Sequence, residues 1–130
     1  MREEPTAAEI LGGVADFLEG EVMPTLSGRL AFHTRVAVNA LAIVRREITL
    51  GPPAQAAEQA RLSQLMARDG DLETLNDALC AAIAAGEIRA DDPALIDHLW
   101  ATTLDTMAID QPNYETYRRV TAGQAPSVDP

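Results

Sequence analysis

The apolar positions of this chain recur at three- and four-residue intervals almost from end to end. Ile10, Leu11, Val14, Phe17 and Leu18 fall at i, i+1, i+4, i+7 and i+8, one face of a helix. Thr6 before them, with Glu9 three residues on, forms a capping box, and Gly20 and Pro24 close the segment. Ser27-Gly28 opens a second helix that is expected to run to Leu50, where Gly51-Pro52-Pro53 stops it. A third helix is expected from the prolines through AQAAEQARLSQLM. RDGD is a turn whose Asp71 caps a fourth helix, LETLNDALCAAIAA, and Gly86 sits where a left-handed C-terminal glycine belongs. Asp92 as cap and Pro93 at the first helical position start a fifth, whose Leu95, Ile96, Leu99, Trp100, Leu104 and Met107 repeat at three and four. Trp100 and Met107 are accordingly expected in the core, or as core residues exposed to a partner. Pro112 ends that helix, NYETYRRV adds a short turn, and residues 121–130 read as a disordered tail.

No stretch alternates apolar and polar with period two, which excludes a sheet. Short linkers between helices favour antiparallel packing. The expectation is an all-α, single-domain bundle of about five helices over residues 1–120.

The second helix has an unusual distribution. With Leu30 at zero and 100° per residue, Leu30, His33, Thr34, Ala37, Leu41, Val44 and Ile48 lie within about 60° of zero. Phe32, Val36, Ile43 and Leu50 gather near 200–240°. Two apolar faces predict a central helix, buried on both sides. Between them runs a polar stripe, Arg35, Asn39 and Arg46, while Arg29 and Glu47 share a separate edge. The stripe reads either as a solvated edge with ion pairs or as a clamp for a carboxylate, phosphate or partner acid, which arginine forks match. His33 projects from the first apolar face and reads as a core histidine or as a ligand contact and proton carrier.

Composition narrows the chemistry. Hydrophobic residues make up 47% of the 130 positions, but aromatics only 4%, and much of the rest is alanine, so the core should be thin. The net charge of −10 argues against nucleic acid and anionic membrane surfaces as partners. All ten basic residues are arginine, which removes a Schiff-base or phosphate-loop lysine. Cys80 is the one cysteine, so no intramolecular disulfide and no multi-cysteine zinc site exists; in its apolar surroundings it reads as a small buried hydrophobe. His98 lacks a ligand four residues away on either side and reads as a surface contact with Asp97 or an acid of another helix. The acidic start is not a signal peptide and no apolar run spans a bilayer, which predicts a cytoplasmic protein. No catalytic residue, metal site or cofactor is assigned.

The segments TAAEILGGVADFLEGEVMP, LSGRLAFHTRVAVNALAIVRREITLGP, RDGDLETLNDALCAAIAAGEI and PALIDHLWATTLDTMAIDQP together resemble a small bacterial all-helical domain of unknown function. The resemblance covers residues 5–115. It is most specific at Arg29, Phe32, His33, Arg35, Val36, Asn39 and the Arg46-Glu47 pair. Genes of that family lie beside, or are fused to, aminoglycoside-phosphotransferase-like kinases and acyl-CoA dehydrogenases. The resemblance implies a non-catalytic accessory module of such an enzyme, with Arg29, His33, Arg35, Asn39, Arg46 and Glu47 as partner or anion contacts. The alternative is a binder of a small anionic ligand, an acyl-CoA or a carboxylate, or a weak enzyme using the same groups. A homodimer whose helical faces complete each other's thin core is a further expectation.

Overall fold

The computed structural model describes residues 4–124, which contain five α-helices and no strand: α1 (Ala7–Phe17), α2 (Gly28–Met66), α3 (Leu72–Ala84), α4 (Pro93–Asp110) and α5 (Glu115–Gln124). The all-α expectation holds. The chain falls into two compact units, residues 1–51 and 52–130.

The expected caps are in place. The Thr6 hydroxyl accepts from the Glu9 N–H at 3.2 Å, and the Glu9 carboxylate accepts from the Thr6 N–H at 3.3 Å. Asp71 accepts from the Thr74 N–H at 2.7 Å, and Asp92 from the Ala94 N–H at 2.8 Å. Gly86 is left-handed (φ 76°), with Glu87 N–H bonded to the Ala82 carbonyl, and so closes α3.

The prolines do not stop the second helix. α2 runs for 39 residues through Pro52 and Pro53, joining what the sequence divides into second and third helices. Proline removes the N–H that would bond four residues back. The carbonyls so released belong to Ile48 and Thr49, both exposed, where water can take the place of the lost donors. The five-helix count survives because NYETYRRV, read as a short turn, is part of a full helix, α5. That helix includes residues 121–124 of the expected tail; residues 125–130 lie outside those described.

In residues 1–51, α1 continues into a π turn, Leu18–Val22, and a 3-10 turn, Met23–Thr25, before α2 begins at a left-handed Gly28. The buried positions are few: Gly12, Val38 and Gly51. The two apolar faces of α2 are not covered. Leu30 is 63% exposed and Phe32 64%, and Val36, Val44, Ile48 and Leu50 are exposed as well. α1 lies beside α2 at Leu41, Ala42, Arg45, Arg46, Thr49 and Leu50, which takes in only one member of each apolar face. An 11-residue helix cannot cover both faces at once. The central buried helix is therefore a correction for this part of the chain.

In residues 52–130 the core is Leu62 of α2, Leu75 and Leu79 of α3, and Leu95 of α4, with Leu65, Met66, Leu72 and Ile88 packed against it. Leu75, Leu79 and Ala82 recur at four and three and form the buried stripe of α3. Cys80 is one residue off that stripe and is exposed, not buried. On α4 the stripe is Leu95 and His98, continued by half-buried Ala101, Thr102 and Asp105. Ile96, Leu99 and Trp100 point elsewhere and are about half exposed, so Trp100 is not a core residue.

α2 ends in a left-handed Ala67 (φ 53°), with Ala67 N–H bonded to the Gln64 carbonyl and Arg68 N–H to that of Ser63. Alanine in this conformation costs about 1 kcal/mol that glycine does not. Ala67→Gly is expected to raise stability by about that amount in urea denaturation. Leu62→Ala, at a fully buried position, is expected to cost about 2–5 kcal/mol.

Candidate functional site

The sequence points to α2, and the structure separates its polar residues into three groups. Arg29 and His33, one turn apart, form the first: Arg29 Nε–H donates to His33 Nε2 at 3.4 Å. The Phe32 and His33 rings meet edge to face, centroids 5.6 Å apart at 70°. His33 is exposed, which overturns its reading as a core histidine; its face is one that α1 does not reach. Glu47, on the same edge of the helix, is exposed four turns further on.

Arg35 and Asn39 form the second group, exposed and one turn apart beside the apolar ridge of Phe32 and Val36. They are a surface feature. Arg46, expected to share their stripe, belongs to the third group and is half-buried.

That third group lines a groove between α1 and α2, with a concave volume of about 360 Å³, formed by Leu11, Ala15, Leu41, Ala42, Arg45, Arg46, Thr49 and Leu50. Two arginines stand in its wall and no acid does, in a chain with twice as many acids as bases. Arg45 was not among the expected site residues. Its guanidinium lies on Gly12 of α1: a Cβ there would come within 3.1 Å of it. The small residue lets the planar group rest on the helix backbone. The signal in the sequence was Gly12-Gly13 inside an otherwise good helix, an uncommon placement that indicates close approach.

A further polar cluster joins α2 to α4. His98 is 4% exposed, and its Nδ1 accepts from Arg61 Nε–H at 3.2 Å. The same guanidinium donates through Nη2 to the Thr102 hydroxyl at 3.1 Å. Nearby, Asn76 Nδ2 donates to Glu58 at 3.4 Å. His98 is therefore a buried link between α2 and α4 and not a surface contact. Because Nδ1 accepts, the ring is neutral with its proton on Nε2. Burial first, and then the charge of Arg61, push the imidazole below its ordinary value of 6.5, while Glu58 opposes them. Arg61 stands in helix-forming QARLSQ, which carries no mark of this role. The periodic signal for His98 was present, because it follows Leu95 by three.

A family model described as a domain of unknown function, DUF6285, matches residues 24–114. The chain belongs to this family. The DUF6285 match takes in α2, α3 and α4 whole, and with them the Arg29–His33 pair, the Arg35–Asn39 pair, both groove arginines and the Arg61–His98 link. It begins after α1 and ends before α5. No curated protein and no solved structure gives a significant match. Among the described residues, no helix is long and apolar enough to cross a membrane.

The lowered basicity of His98 sets a direction for pH. Below 6.5 the unfolded chain takes up a proton that folded His98 does not. The contribution of this contact is thus fully present above that value and is lost as pH falls through the lower folded one. The urea midpoint is expected to fall between pH 7.5 and 5, and His98→Gln to flatten that part of the slope. Arg61→Met leaves His98 Nδ1 buried without its donor and is expected to cost about 1–3 kcal/mol.

Proposed function

We propose that the chain is a non-catalytic interaction module of the bacterial cytoplasm that binds a metabolic enzyme, of the phosphotransferase-like or acyl-CoA dehydrogenase-like kind to which the sequence resemblance points. The observation that carries this reading is the ridge of Phe32, Val36 and Leu50 on α2, 64%, 49% and 38% exposed, with Arg35 and Asn39 beside it. A helix that displays aromatic and aliphatic side chains in a row presents i, i+4 anchors to a partner's groove. Aromatic and arginine side chains are also the residues that most often dominate binding energy. Arg29 and His33 bond to each other and Arg35 and Asn39 are exposed, and a recognition role suits these groups better than a catalytic one.

A second reading draws on the groove between α1 and α2. Two guanidiniums in an otherwise largely apolar wall match a ligand with an apolar chain and an anionic head, such as an acyl-CoA or a fatty carboxylate.

The two readings separate experimentally. On co-expression with the enzyme of the adjoining gene, the chain is expected to co-purify with it. Phe32→Ala combined with Arg35→Glu should weaken that association at least tenfold with helicity unchanged. Retention of the complex by the double variant would overturn the ridge as the docking face. Under the second reading, a fatty acid or CoA ester at 100 times its Kd should raise stability by about 2.7 kcal/mol, and Arg45→Ala should abolish the effect. A panel of such compounds without any thermal shift would dismiss it.

A further inference from the structure

The other exposed face of α2 has a regular spacing of its own. Leu30, Thr34, Ala37, Leu41, Val44 and Ile48 follow one another at four, three, four, three and four residues. That is the heptad seam of a coiled coil, in which two positions per seven face a partner helix. Leu30 is 63% exposed and Val44 and Ile48 are each 42% exposed, while Thr34 and Leu41 are half-buried, Leu41 also lining the groove with α1. Ala37 and the flanking Ala40 are also exposed, and their small size lets a second helix approach closely. The one polar member, Thr34, already donates its hydroxyl to the Leu30 carbonyl at 2.7 Å and can enter an apolar seam without an unsatisfied proton.

We infer that this face binds a second copy of the chain, with the two α2 helices antiparallel. The seam is its own mirror when reversed. Leu30 falls opposite Ile48 of the other copy, Thr34 opposite Val44, and Ala37 opposite Leu41, as an isologous two-fold contact requires. The charges select the direction. Arg29 and His33 lie on one edge at the start of the seam, and Glu47 lies on the same edge at its end. Antiparallel pairing brings each Arg29–His33 pair beside the Glu47 of the other copy, where opposite charges on the flanking positions set partner orientation. Parallel pairing would place this edge of each copy on opposite sides of the contact and would leave Arg29 and His33 apart from the other copy's Glu47, so the charges favour the antiparallel direction. Within each copy Arg29 and Glu47 are about 27 Å apart along the helix, too far to pair with each other. This contact concerns a different face from the Phe32–Val36 ridge, so it stands or falls independently of the enzyme-partner proposal.

Light scattering on the full chain tests the association, and a dimer of twice 13.9 kDa is expected. A monomer at about 100 μM would overturn the proposal. Glu47→Arg alone, which removes no apolar side chain and leaves the fold intact, should weaken the dimer roughly tenfold, because the two-fold contact loses both of its symmetry-related charge pairs. Adding Arg29→Glu to Glu47→Arg should restore it. A dimer indifferent to these exchanges would show that another surface is used. Direction is read by oxidative cross-linking in a Cys80→Ser background. Chains carrying Leu30→Cys are expected to link to chains carrying Ile48→Cys and not to themselves. Self-linking of Leu30→Cys chains would establish the parallel arrangement and overturn the proposal.

Discussion

Leu62 and Leu75 have no surface left in water, and around them Leu79 and Leu95 complete a cluster of four leucines drawn from three helices. In an alanine-rich chain this cluster carries most of the burial that holds α2, α3 and α4 together, since alanine contributes little area to a core. Its small size places weight on the backbone terms. The caps at Asp71 and Asp92 and the left-handed closures at Ala67 and Gly86 set where each helix begins and ends. They thereby decide which leucines face one another.

A polar link completes this packing. Arg61 reaches from α2 to His98 and Thr102 on α4. A buried imidazole that accepts a hydrogen bond from a guanidinium must stay neutral, because a proton on Nδ1 would both remove the bond and add a second positive charge. The same geometry that joins the helices thus makes their contact sensitive to mild acid. His98 is in this sense part of the core, a polar member whose single strong partner is supplied by the neighbouring helix.

Residues 1–51 follow a different rule. There the apolar side chains of α2 outnumber what α1 can cover, and much of the helix's hydrophobic content stays in water. Exposure on this scale in a helix otherwise well formed is a common mark of interaction surfaces. The two stripes differ in their fringes. One carries Arg35 and Asn39; the other carries Arg29 and His33 at one end and Glu47 at the other. Such fringes contribute little to stability in water, but they govern which surface can be brought against which.

Local chemistry accounts for what could be read from the sequence alone. Capping residues, the left-handed glycine and the three-and-four spacing of apolar residues act within one or two turns. The all-α class, the three caps and most helix boundaries were therefore legible, as was the importance of α2 between Arg29 and Glu47. Tertiary structure decided the rest. The prolines at 52 and 53 end a helix by local preference, yet α2 continues through them, and the carbonyls they orphan belong to exposed residues. Two apolar faces on α2 imply burial only if enough helices are at hand to cover both. His33 and His98 exchange their expected roles for the same reason: an apolar neighbourhood along one helix does not say whether another helix is there. Arg61 was invisible in advance, and Gly12-Gly13 marked a close approach without saying that Arg45 makes it, because each arginine acts on a partner 37 or 33 residues away, His98 and Gly12, across a distance in sequence that no local pattern encodes.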